Sequence, residues 1–331
     1  MTPACDDFIR DIARIEKLLE FLDRCRHMPP CAAGAPTSDA EVSWSRELQT
    51  ASAGCKADFV ILAGTLILYL AGRFEYFVRM TFEDLCSGIA QQCKAFRDLP
   101  REMRKSLIVY TAEVMLNPAR FGHGEEGVKS FVRNLSQNVT DSERLSEINS
   151  QCLSITTENM RSATVEALFQ RIGAKELWKR VGEQAKIQVF FMSSDAKKAE
   201  ADAKRKIDEL MDTRNRIAHP VSDVTWPDDE TVLSYAKFLR VLAEALTDVS
   251  SVFQSSLTLE RLRSMQSPKD KSTECQGSSD DPANLNQEGV GNTTDSRVTG
   301  SCEEKLAETT HCSSPETLEL ASTDANPTVN S

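Results

Sequence analysis

Ten cysteines occur in this chain, but no two form a CxxC pair and no regular spacing relates them. Neither a zinc ribbon nor a disulfide framework is therefore written into it, and the usage fits a reducing, cytoplasmic location. Cys25, His27 and Cys31 lie close together, yet no second half with ligand spacing follows, so no metal and no other cofactor is expected. The first seven residues include acidic side chains and no apolar stretch, which argues against a secretory leader. Long hydrophobic runs are scarce as well. The most apolar, Phe59 to Gly72, lasts 14 residues before Arg73 and Glu75 interrupt it, a length for a buried helix and not for a membrane span. Strict apolar–polar alternation is almost absent, which removes the signal of half-buried strands, and no fixed-period repeat is visible.

Aromatic residues are missing from the end of the chain. From Ser264 to Ser331 there is no Phe, Trp, Tyr or Ile. Such a segment buries too little apolar surface to offset its ordering entropy, so a disordered tail is expected. It holds 12 acidic and 4 basic residues, a net of −8 out of the chain's −11, which leaves −3 for residues 1–263. The global acidity belongs mostly to the tail and says little about a local site in the body.

What is present is helical. Phe8, Ile12, Ile15, Leu19 and Leu22 recur at helical spacing up to about Arg26. Pro29, Pro30, Gly34 and Pro36 read as a loop, taken over 28–56. A long helix is expected from about Ala57 to Lys94 as the centre of the core, and another from Pro100 to Asn117. The polar, glycine-containing stretch 119–156 reads as an insertion with one short helix near Lys129 to Leu135. Further helices are expected from Thr157 to Gly173, around Glu176 to Val181, from Asp195 to Ala218 and from about Asp228 to Phe253; Val189 to Met192 reads as extended. The fold class is all-α, an antiparallel bundle over residues 1–255 followed by an acidic tail over 256–331.

One stretch carries chemistry. In Asp212-Thr213-Arg214-Asn215-Arg216-Ile217-Ala218-His219-Pro220 a guanidinium and an imidazole stand five positions apart where a helix has to stop. Pro220 biases His219 out of the α region, so the helix ends near Ala218. Ile207, Leu210, Met211 and Ile217 give that helix an apolar side and bring Arg214 out at its edge. An imidazole titrating near neutrality beside a permanently charged fork suits phosphodiester chemistry. The plainer reading makes Arg214 a solvated helix residue and His219 a C-terminal cap.

Three segments together resemble the HEPN superfamily, and most nearly its RiboL-PSP-HEPN branch. They are Leu66 to Val78, Glu158 to Gly173 and Leu210 to Pro220. The resemblance implies a HEPN-type antiparallel helical bundle and a metal-independent endoribonuclease of toxin or anti-phage defence type. It places Arg214, Asn215 and His219 in the active site and implies a homodimer whose two motifs face one cleft. RNA is then the substrate, and an antitoxin or other regulatory protein is a possible partner; no membrane is involved. Many HEPN proteins keep the fold and lose the activity, so a non-catalytic module binding a nucleotide, RNA or a protein stays open beside the nuclease.

In the catalytic reading His219 moves the proton at the ribose 2′-OH or the leaving 5′-oxygen, and Arg214 holds the phosphate. Asn215 either orients one of these groups or faces solvent. Arg216, with Lys204, Arg205 and Lys206, either guides the RNA backbone or forms a solvated helix face. Glu75, read as the one partly buried carboxylate, is either functional or ion-paired with Arg79 or an Arg of the last motif. Trp178, Trp226 and Tyr235 are aromatics that stack on bases or, more commonly, fill a core.

Overall fold

A computed structural model describes residues 2–27, 39–55, 58–140, 144–219 and 225–266 of the chain. The chain starts as α1, Pro3–Arg26, whose first turn is capped by the Thr2 hydroxyl accepting from the Cys5 N–H. Cys5, Phe8, Ile12, Ile15 and Leu19 form its buried stripe, the face that the spacing predicts. After α2, Asp39–Cys55, comes the spine of the molecule, α3, Phe59–Gln91. By length and composition alone α3 would suffice to cross a membrane. Its buried residues, Ile67, Leu70, Phe74, Phe77 and Phe82 among them, instead belong to the main core of the bundle. There Phe8 stacks on Phe77 at 5.2 Å, and Phe82 meets Phe169 edge-on at 5.5 Å.

Arg101–Leu116 (α4), Glu125–Thr140 (α5) and Ser150–Leu153 (α6) build a smaller core of Val114, Phe131, Cys152 and Ile155. Buried Asn149 stitches it together, donating to the Thr111 hydroxyl at 3.2 Å and the Phe131 carbonyl at 2.9 Å. Then follow α7 (Ser162–Gln170), α8 (Leu177–Gly182), α9 (Ala185–Phe190), α10 (Ala196–Ala218) and α11 (Asp229–Gln266). Helices α1, α10 and α11 all pack on α3. Every regular element among the described residues is a helix, so the all-α class holds.

Several boundaries differ from expectation for physical reasons. The 28–56 loop holds α2 over Asp39–Cys55. Its proline and glycine signals cluster at 29–36, and the Ser52 hydroxyl anchors α2 by donating to the Cys25 carbonyl. The expected helix from Thr157 begins only at Ser162, because residues 157–161 are held in an irregular path by side chains of α10. Val189 to Met192 is no strand: α9 ends at Phe190 and Met192 turns the chain with a φ of 48°. A short apolar run does not distinguish a strand from a buried helix, and here Phe190 and Phe191 pack on Phe238. The helix expected near Lys129 to Leu135 spans the whole of Glu125–Thr140. The last helix continues to Gln266, past both Phe253 and the boundary drawn at 255. Residues 267–331, the rest of the expected tail, lie outside the described residues.

Candidate functional site

The helix that carries the Arg and His motif is α10. Asp195 caps its start by accepting from the Lys197 N–H at 2.9 Å. Ala199, Ala203, Ile207, Leu210, Met211 and Ile217 bury one face, and α3 and α8 cover it. That burial fixes the rotation of the helix and sets Arg214 half-buried at the border of the core. The helix stops where the sequence says it stops. His219 is the C-cap, with φ −124° and ψ 71°, and its backbone N–H donates to the Asn215 carbonyl at 3.0 Å. Its side chain is exposed. Pro220, to which the stop was ascribed, lies outside the described residues.

Asn215 organises the surroundings. Its Oδ1 accepts from Arg214 Nη1 at 3.1 Å and from Asn159 Nδ2 at 2.7 Å. A neutral carbonyl oxygen thus steers the guanidinium without neutralising it. Neither Arg214 nor His219 forms an ion pair with any described residue.

Asn159 belongs to a strap, residues 159–162, that runs antiparallel to α10. One turn back from Asn215, Asp212 accepts from Arg161 at 2.5 Å, and that hydrogen bond raises the Arg161 pKa. A turn further, Asp208 accepts from the Ser162 N–H at 2.8 Å and from its hydroxyl at 2.7 Å. Residues 208, 212 and 215 share one helix face by their spacing, so a single face of α10 holds Asn159, Arg161 and Ser162. On the other side, half-buried Glu75 of α3 accepts from the Met160 N–H at 3.4 Å. The Trp178 indole fixes the end of the strap by donating to the Ser162 carbonyl at 2.8 Å.

Glu75 is therefore neither paired with Arg79 nor with an Arg of the last motif; a backbone amide is its partner. It is also not the one buried carboxylate. Asp11 is more deeply placed, at 3% exposure, and accepts from Arg73, from Arg14 at 2.7 Å and from the Tyr69 hydroxyl at 3.1 Å. A carboxylate in a helix that opens the chain gives no sequence sign that Arg73, 62 positions on, will come to it.

The basic residues near the motif are largely occupied. Arg216 is exposed and donates to the Thr213 hydroxyl at 3.1 Å. Lys204 pairs with Glu200 at 2.7 Å, and Arg205 with Asp202 at 2.8 Å. Lys206 lies over the Tyr235 ring at 5.2 Å, where burial lowers its pKa. Trp178 and Tyr235 are core residues, and Trp226 packs against Gly64 so closely that a methyl there would come within 2.4 Å of the indole. Among the described residues no three His, Cys, Asp or Glu side chains gather as a metal site.

Asn159 is the neighbour of the motif that pattern reading missed. It lies within the resembling segment from Glu158 onward, but its partner is 56 positions away. No spacing rule within one helix reveals such a pair.

The sequence model of the RiboL-PSP-HEPN family matches residues 45–251, which takes in α3, the strap and α10. No curated protein and no solved structure gives a significant match. The chain belongs to the RiboL-PSP-HEPN family.

Proposed function

We propose that this RiboL-PSP-HEPN protein is an endoribonuclease of toxin or defence type whose site is built on Arg214 and His219. The observation that carries the reading is the guanidinium of Arg214, steered by a neutral amide and unpaired with any described carboxylate, one helical turn from an exposed imidazole. A fork kept free of carboxylates is available to two phosphate oxygens. In the proposed reaction His219 takes the proton of the ribose 2′-OH as its oxygen bonds to phosphorus. The bond from phosphorus to the 5′-oxygen breaks, and that oxygen leaves as a 5′-OH with a proton from solvent, to which the His219 imidazolium returns its own. The other product ends in a 2′,3′-cyclic phosphate. Arg214 stabilises the charge that grows on the phosphoryl oxygens. Asn215 and Glu75 act as positioning residues through the strap, and Arg216 lies beside the path of the strand. The chemistry requires no metal, because imidazole and guanidinium supply proton transfer and charge stabilisation.

The protein is proposed to work in the cytoplasm as a homodimer on RNA, under the control of an antitoxin or other regulatory protein. Incubating the wild type and His219→Ala with mixed RNA in EDTA tests the activity. Wild type is expected to cut, and His219→Ala to be slower by roughly a hundredfold or more.

A specific observation favours a second reading, a non-catalytic binding module. No hydrogen bond to a described residue holds the His219 imidazole, and its backbone N–H serves the helix end. On that reading His219→Ala costs about 1 kcal/mol of stability and leaves every RNA intact.

A further inference from the structure

A cleft of about 490 Å³ opens between α3 and the stretch that joins α4 to α5. Tyr76, Arg79 and Glu83 line it from α3, while Arg120, Phe121 and His123 line it from the stretch between α4 and α5. Both guanidinium groups are exposed, and neither forms an ion pair with a described residue. Arg120 lies over the Phe121 ring at 5.6 Å, and His123 meets the Phe131 ring edge-on. The only lining carboxylate, Glu83, already accepts the Ser154 hydroxyl. Two guanidinium groups against one carboxylate leave the lining with a net positive charge. Tyr76 is 47% exposed, with Arg73 over its ring at 4.8 Å, so aromatic surface stands beside that charge.

Position links this cleft to the motif. Arg79 follows Glu75 by four residues on α3, one turn or about 6 Å along the axis. Thr156 lines the cleft, and the chain continues from it into Asn159 and Met160, which Asn215 and Glu75 hold.

We propose that the cleft is a subsite for single-stranded RNA flanking the scissile phosphate, in which Arg79 and Arg120 grip backbone phosphate and Tyr76 offers a ring face to a base. This rests on RNA being the substrate, but not on cleavage taking place. Binding of fluorescein-labelled single-stranded RNA to full-length His219→Ala, followed by anisotropy over a range of salt, isolates the subsite from the chemistry. Adding Arg79→Ala and Arg120→Ala is expected to weaken binding about tenfold or more. The plot of log affinity against log salt becomes shallower by about 1.4, since each lost single-strand phosphate contact removes about 0.7.

Both side chains are exposed, so the melting temperature should stay unchanged, and the Arg79→Lys, Arg120→Lys pair should keep the salt slope while losing part of the affinity. Affinity within twofold and an unchanged slope for the alanine pair overturn the subsite. If wild type cuts RNA while Arg79→Ala, Arg120→Ala with His219 intact cuts and binds as wild type does, the subsite falls and the nuclease stands. If wild type leaves RNA intact while binding depends on Arg79 and Arg120, the nuclease falls and the subsite stands.

Discussion

Asn215 accepts two donors on one oxygen, so its loss reaches beyond its own side chain. Asn215→Ala frees Arg214 and releases Asn159 together; Asn159→Ala releases the strap only. Each is expected to cost about 1 kcal/mol in chemical denaturation, and the double variant less than the sum, because both remove the same bond. Additive costs would contradict the coupling. Of the two, Asn215→Ala should lower RNA cleavage more. At this scale the sequence was readable where a local rule applies: an amphipathic stripe and a stop signal locate Arg214 and His219 at a helix end. It was silent on Asn159, Asp11 and the partner of Glu75, whose contacts join residues tens of positions apart.

The cysteines give a second test at the residue scale. Burial pushes the Cys152 thiol up to about 11 and raises that of Cys86 well above its ordinary value, whereas Cys55 is exposed. In the native protein at pH 8, alkylation followed by mass spectrometry should label Cys55 and spare Cys86 and Cys152. The folded pKa of Cys152 lies above its unfolded value of 9.0, so its contribution to stability is complete below pH 9 and is lost as pH rises toward 11. Denaturation midpoints should fall across that window. Early labelling of Cys152 would show that the small core opens.

Among the elements, the strap and α11 depart most from what periodicity suggests. Residues 157–161 hold back from helix because Asp212 and Asn215, with Asp208 at the next residue, offer them better partners than a first helical turn would. Such competition between elements is invisible to a pattern read along one segment. Helix α11 outruns the sequence boundary because Leu257 still packs on the main core and Thr258 bonds Gln92 at 2.5 Å. The spacing of its earlier apolar residues was legible; the late contact was not. A chain ending at Gln266 should therefore melt like the full-length protein, while one ending at Phe253 should melt several degrees lower. Equal melting by the shorter chain would place the boundary back near 255.

For the whole molecule, the apolar surface bears on assembly. Leu18 and Phe21 of α1 and Val60, Ile61 and Leu62 of α3 are all exposed, at the end of the bundle where Arg26 lies over the Phe59 ring. Exposed apolar groups in such number are what an association surface would present. Light scattering at tens of micromolar is expected to give a dimer, and Ile61→Glu to give a folded monomer with weakened RNA cleavage. A wild-type monomer at that concentration would remove the composite two-motif cleft.

The central claim is that Arg214 and His219 direct attack by a ribose 2′-OH. It is tested most directly on an RNA oligonucleotide cut at a mapped position, compared with the same strand carrying a single 2′-deoxy residue on the 5′ side of that bond. In EDTA, the intact RNA should yield a 2′,3′-cyclic phosphate and a 5′-OH, the 2′-deoxy strand should not be cut there, and Arg214→Ala should cut the RNA roughly a hundredfold more slowly. Cleavage of the 2′-deoxy strand at the same bond, or products ending in 3′-OH and 5′-phosphate, would contradict the account.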